Sequence, residues 1–323
     1  MNKIMTFIEG YDTGDTWEEL MVSCYQLRYQ DDHYTPVPSN HKGDAGIEGF
    51  TQSGVVHQSY CPERSYTDSE LYNHLRDKLT DDIKKLKENG TRLSNLGVPP
   101  IVEWHFNIPE YRDARIISHA QTKKEEVLNA KKSNPADFKH ISEGFKIIIK
   151  TAESFTAEVA RLVRTNLMNM KLNLSINQGE PVDWEKCDSE KAVNIRRKIK
   201  AVMLVSDDTN AQLNDVVKMF IEHYMRGVEN MTRLRSEFAD VYESIIRLEL
   251  SYKNEVSRKT NMILSRTLNG QVFEGILSDF EARLSQEFPN MFDTASIMIL
   301  RDALVAKWLA DCDMEFRGIQ DGA

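Results

Sequence analysis

Three glycines and two acids fall within the eight residues Gly43-Asp44-Ala45-Gly46-Ile47-Glu48-Gly49-Phe50, and a second turn, Gln52-Ser53-Gly54, follows almost at once. Helices do not tolerate glycine at that density, so the chain must turn, run extended for a few residues and turn again. Residues 54–61 read as the returning strand. Val56, Gln58 and Tyr60 share one face of it, and Val55, His57, Ser59 and Cys61 share the other. Residues 46–51 and 54–61 therefore form a hairpin that sets Glu48 opposite Gln58, ten residues on. By the same parity Tyr60 neighbours Gln58 and His57 points away. Asp44 sits in the preceding turn, where flexible backbone aims it inward.

Carboxylates and an amide gathered this way suit one kind of chemistry. A hard divalent cation such as Mg²⁺ or Mn²⁺ takes oxygen ligands and keeps several waters, so Asp44, Glu48 and Gln58 are a sufficient set to hold one against a phosphate. The plainer readings stay open: solvated turn acids, a glutamine bonded to neighbouring backbone, and Tyr60 as an amphipathic core residue. The flanking elements follow from periodicity. Trp17, Leu20, Met21, Cys24 and Leu27 mark a helix with Thr16 as its N-cap, and residues 34–38 are a proline-bounded edge strand. Leu71, Leu75, Leu79, Ile83 and Leu86 mark a second helix, ended by Gly90, and residues 101–108 read as a further strand.

The acid, the ten-residue gap and the Gln-x-Tyr that follows, set in the order helix, three strands, helix, strand, resemble the PD-(D/E)XK restriction-endonuclease-like superfamily. The likeness is in particular to its methylation-dependent restriction endonuclease branch, which has a similar glycine-rich turn. The resemblance implies an α-β-β-β-α-β core, Mg²⁺- or Mn²⁺-dependent cleavage of DNA, Glu48 as the metal-binding acid and Gln58 as the second ligand. Glu18, in Trp17-Glu18-Glu19-Leu20, is similar to the family's aromatic-Glu-x-Leu helix and is implied as completing the cluster. Tyr60 falls where the family has a lysine. The catalytic set implied is thus Glu18, Asp44, Glu48, Gln58 and Tyr60. A tyrosine hydroxyl, which ionises near pH ~10, supplies no positive charge. Lys42 and Lys78 are the candidates to supply it; His57 is disfavoured by strand parity and His41 by its loop setting.

Beyond about residue 115 glycine and proline thin out and long helical patterns take over, which places a boundary near residue 125. The fold class expected is α+β: a nuclease-like domain over residues 1–125 and an all-α domain over residues 126–323. Phe145, Ile148, Ile149, Ala152, Phe155, Val159, Leu162 and Val163 suggest a helix over residues 141–169, followed by a loop over residues 173–187. Leu213, Val216, Val217, Phe220, Ile221, Tyr224 and Val228 form a stripe of 3.6-residue period behind capping residues Asp207-Asp208-Thr209. Residues 231–265 suit a long helix or a helical hairpin. Two more helices, over residues 272–288 and 294–309, close the chain.

Residues 307–316, with Ile195-Arg196-Arg197-Lys198-Ile199-Lys200, resemble the C-terminal helical domain of bacterial ABC-three-component antiphage defence proteins. That resemblance implies an ABC/SMC-like ATPase partner and a small accessory subunit, and effector modules in which a tyrosine recurs at the Tyr60 position. Leu300, Leu304, Val305, Trp308 and Leu309 are the expected anchors for the ATPase or for self-association, unless Trp308 closes this domain's own core. The basic run reads either as a phosphate contact or, in preference, as a solvated or partner-contact face that could also pair with Asp207 and Asp208.

A formal charge of -9 speaks against a surface coated for nonspecific nucleic-acid binding, though not against a local basic patch. No apolar run reaches the ~18 residues needed to span a bilayer, and residues 1–9 lack a signal-peptide core, so a cytoplasmic protein is expected. Cys24, Cys61, Cys187 and Cys312 contain no C-x-x-C pair and read as free thiols. The function expected is a metal-dependent DNA endonuclease effector of an antiphage system. The alternatives are an inactive nuclease-like scaffold that binds nucleic acid or proteins, and a helical assembly subunit whose glycine turn is structural.

Overall fold

The computed structural model describes residues 7–8, 10–11, 13–38, 45–63, 65–175, 183, 187–311 and 314–316. The chain is α+β and divides into two compact units, Met1–Thr165 and Asn166–Ala323. Among the described residues no helix is long and apolar enough to cross a membrane. Cys24 and Cys61 are buried free thiols, Cys187 is a half-buried one, and Cys312 lies outside the described residues.

In the first unit the order is α1 (Gly14–Arg28), β1 (Thr35–Pro36), β2 (Gly49–Phe50), β3 (Val55–Ser59), α2 (Asp68–Glu88), α3 (Gly90–Asn95), β4 (Ile101–Asn107), α4 (Arg115–Ser133), β5 (Ile141–Lys150) and α5 (Thr156–Thr165). The five strands lie side by side in chain order. The pairs β1/β2 and β2/β3 are antiparallel; β3/β4 and β4/β5 are parallel, with helical crossovers in both parallel steps. Thr13, not Thr16, caps α1, with Thr16 returning the bond in a capping box. A second capping box, Thr67 with Glu70, opens α2. The apolar stripe Leu71, Leu75, Leu79, Ile83 and Leu86 then packs against the sheet face that carries Val56, Trp104 and Phe106. Gly90 begins α3 instead of ending the chain's helical run.

The helix expected over residues 141–169 is not there. Residues 141–150 form β5, paired to β4 through Trp104↔Ile147 and Phe106↔Ile149, and α5 starts only at Thr156. Phe145, Ile148, Ile149 and Ala152 fit a helical stripe, but the β-branched run Ile147-Ile148-Ile149 favours a pleated surface, and the exposed flank of β4 offered one. The first unit therefore continues past residue 125, which falls inside α4, to Thr165.

Among the described residues the second unit is helical: α6 (Ser189–Met203), α7 (Ala211–Glu237), α8 (Ala239–Asn261), α9 (Asn269–Glu287) and α10 (Thr294–Ala310), with a β-bridge between Leu172 and Phe292. Asn210, not the Asp207-Thr209 segment, caps α7, and the break at Phe238 divides residues 231–265 between the end of α7 and α8, so they form neither one long helix nor a hairpin of their own. Leu300, Leu304, Val305, Trp308 and Leu309 are all buried inside this unit, with the Trp308 ring against Phe280 and its Nε1 donating to Glu249 Oε1 at 3.2 Å. They are core residues, so none of them is a docking anchor. The basic run pairs in part with the acids expected, Lys200 with Asp208 at 2.9 Å and Arg196 with the Asp208 carbonyl, while Arg197 pairs twice with Glu315 at 2.8 Å. Lys198 is buried and caps the C-terminus of α10 by donating to the carbonyls of Trp308 and Asp311.

Candidate metal centre

The β2/β3 ladder pairs Gly49 with His57 and Phe50 with Val56, so the next step brings Glu48 to Gln58, as the sequence predicts. Glu48 is 3% exposed. Its Oε1 accepts from Gln58 Nε2 and from the Ser59 backbone N–H, both at 2.9 Å. The carboxylate thus takes over where β2 stops pairing and satisfies a β3 amide left over by the short strand. The remaining oxygens, Glu48 Oε2 and Gln58 Oε1, are buried and accept no hydrogen bond from the described residues. Each such buried orphan costs about 1–3 kcal/mol unless a donor, water or cation fills it.

The opposite face of β3 and β4 carries a polar layer beneath α1. His57 and Ser59 on β3 stand in register with His105 and Asn107 on β4. Tyr34 Oη lies 2.7 Å from His57 Nε2, and the Tyr25 ring stacks on His57 at 4.0 Å. Tyr25 Oη reaches His105 Nδ1 at 2.7 Å and Asn107 Oδ1 at 3.2 Å, while His105 Nε2 meets Glu103 Oε2 at 3.0 Å. Asn107 Nδ2 lies 3.2 Å from His57 Nδ1, and Trp17 Nε1 donates to the Asn107 carbonyl at 3.2 Å. Burial pulls the His105 pKa down to about 4, against the hydrogen bond with Glu103. Burial raises the Tyr34 hydroxyl, and the negative charges of Glu48 and Glu18 raise it further.

Strand parity does turn His57 to the face opposite Gln58, yet His57 Nδ1 lies 3.5 Å from Glu48 Oε2. Glu48 sits at the end of its strand, where its carboxylate is reached from both faces. His57 therefore belongs to the cluster from which parity had removed it. Glu18 is half-buried on α1, and its charge, with that of Glu48, acts on the one hydroxyl of Tyr34. Asp44, Lys42 and His41 lie outside the described residues. Tyr60 is half-buried against the core on the α2 side, with burial and then Tyr66, Glu63 and Cys61 raising its hydroxyl. Lys78 bonds to the buried Asp82 at 3.0 Å.

Sequence reasoning passed over Tyr25, Tyr34, His105 and Asn107. The signal was present in two strands: polar residues at alternate positions, His57/Ser59 and His105/Asn107, within otherwise apolar runs. A polar face on a central strand of a covered sheet requires partners, and α1 supplies them. Among the described residues no group of three or more His, Cys, Asp and Glu side chains is placed to hold a metal. The described donors are one carboxylate oxygen and one amide oxygen, both hard ligands of the kind Mg²⁺ and Mn²⁺ take. No protein-family model, curated protein or solved structure matches the chain.

Proposed function

We propose that the chain is a cytoplasmic, Mg²⁺- or Mn²⁺-dependent DNA endonuclease, the effector of a bacterial antiphage defence system. The first unit is read as a restriction-endonuclease-like module that holds the cation with Asp44, Glu48 and Gln58. The helical unit is read as the part that assembles with an ABC/SMC-like ATPase and a small accessory subunit. The observation that carries the metal site is the pair of buried, unbonded oxygens, Glu48 Oε2 and Gln58 Oε1, joined across β2 and β3 by the Gln58–Glu48 hydrogen bond. The run helix, three strands, helix, strand, antiparallel to parallel at β3, supports the same reading.

A bound divalent cation would lower the pKa of a ligated water and polarise a phosphoryl oxygen. The protein's own part is orientation. Gln58 Nε2 and the Ser59 amide fix one Glu48 oxygen and leave the other directed at the site. The Tyr60 hydroxyl, raised by burial, stays protonated at neutral pH, so it is a neutral donor to an anionic oxygen and does not replace the lysine's charge; the Tyr34 hydroxyl, also raised, stays protonated and faces His57 Nε2 at 2.7 Å. A second reading, an inactive nuclease-like scaffold that binds nucleic acid or partner proteins, draws on that missing charge and on Lys78 being bonded to Asp82. Incubating supercoiled plasmid with the chain and Mn²⁺, with and without its ATPase and accessory subunit, separates the two. The nuclease reading predicts nicking that Glu48→Ala abolishes in a folded variant. Metal binding without cleavage in every mixture favours the scaffold, and equal cleavage by the alanine variant contradicts the site.

A further inference from the structure

We infer that Tyr34 and His57 are a positioning pair for the Glu48 carboxylate, holding its Oε2 toward the cation; the inference rests on the metal-site reading above. His57 has no exposed surface, is clamped on Tyr25 at 4.0 Å and meets Tyr34 Oη through Nε2 at 2.7 Å. Its Nδ1 stands 3.5 Å from Glu48 Oε2, at the outer edge of polar contact. Gly49 admits the phenol: a Cβ at this position would sit 2.1 Å from Tyr34 Oη, so a larger residue would close the path from Tyr34 across β2 to His57. The glycine that follows Glu48 in the motif therefore has a role in the site as well as in the turn.

Counting protons shows which nitrogen of His57 faces Glu48 with hydrogen. Burial holds His105 neutral at pH 7, and Glu103 is ionised there, since its bonds to His105 and Lys146 outweigh burial. His105 Nε2 faces that carboxylate, so Nε2 carries the proton and Nδ1 accepts the one hydrogen of Tyr25. Tyr25 then has none for Asn107, 3.2 Å away. The count closes once the Asn107 amide is turned half around, its NH₂ donating to Tyr25 and its carbonyl oxygen facing His57 Nδ1. A singly protonated His57 then holds its hydrogen on Nδ1, which stands beside the Asn107 oxygen and Glu48 Oε2 together. Tyr34 donates to Nε2 and fixes that tautomer. A weak, fixed donor near Oε2 sets the direction of the carboxylate and leaves its lone pairs open to metal.

The test is calorimetric titration of Mn²⁺ into the metal-free full chain, for wild type, Glu48→Gln and Tyr34→Phe, with ¹⁵N shifts of the histidine rings recorded on the same samples. The expected results are binding by wild type, loss of binding in Glu48→Gln and affinity about 10- to 100-fold weaker in folded Tyr34→Phe. His57 should be protonated on Nδ1 in wild type and tautomerically mixed in Tyr34→Phe. Wild-type affinity in Tyr34→Phe, even with lowered stability, overturns the pair, as does a wild-type His57 protonated on Nε2 alone. Failure of wild type to bind Mn²⁺ in a way that Glu48→Gln abolishes overturns the metal-site reading itself, and this inference with it.

Discussion

Two glycines of the Gly-Asp turn segment answer to specific atoms. Gly46 has φ of +83°, and a Cβ there would come within 2.7 Å of the Asp82 carbonyl on α2, while its own carbonyl accepts from Trp104 Nε1 at 2.9 Å. Gly49 faces Tyr34. Gly49→Ala should displace the phenol and cost about 1–3 kcal/mol by overpacking, read as a lower urea midpoint at unchanged slope. His105 carries a pH prediction, because its neighbours Glu103, Lys146, Lys150, Tyr25 and His57 leave its burial dominant. The folded ring takes up a proton only near pH 4, whereas the unfolded chain does so near ~6.5, so between those values the unfolded state binds more protons. Stability must therefore fall as pH drops from 6.5 towards 4, by at most about 1.4 kcal/mol per unit from this group. Unfolding curves at pH 7, 6 and 5 should show that loss, and His105→Gln should flatten it. A wild-type midpoint that does not move with pH contradicts the account.

The elements that reasoning from sequence recovered are those whose chemistry is local. α1 and α2 have capping residues and apolar stripes, the β2/β3 hairpin has its glycines, and β4 is bounded by a Gly/Pro connector. The register Glu48 to Gln58 came from parity alone and holds in the structure. What parity missed was position along the strand: Glu48 is terminal, so it reaches His57 as well. β5 was missed for a different reason. It is a strand because β4 offers an unpaired flank, which is information from far along the chain, while its local spacing fits a helix equally well. A chain ended at Thr165 should unfold cooperatively by circular dichroism. One ended at residue 125 lacks β5 and half of α4, exposes the β4 edge and should be aggregated or unfolded. A soluble, cooperatively folded 1–125 fragment would contradict this assignment.

In the molecule as a whole, the helical unit was legible as helices and not as a surface. An amphipathic stripe does not say whether it meets its own domain or a partner, and Trp308 met its own: it lies among Phe280, Tyr252 and Glu249. Trp308→Ala should cost about 3–5 kcal/mol, seen as early melting of the helical unit. For the same reason a truncation before Thr294 should unfold this unit, not merely detach a partner. If that truncation stays folded, the packing described for α10 is wrong. The proposed docking on an ATPase would have to use other surfaces, since the stripe first expected for it is internal.

The most direct measurement is anomalous diffraction at the manganese edge from crystals soaked in MnCl₂. The account predicts a peak within about 2.0–2.6 Å of both Glu48 Oε2 and Gln58 Oε1, with Asp44 drawn in as a further ligand. Ordered Glu48 and Gln58 with no manganese between them, or manganese held only elsewhere on the chain, would contradict it.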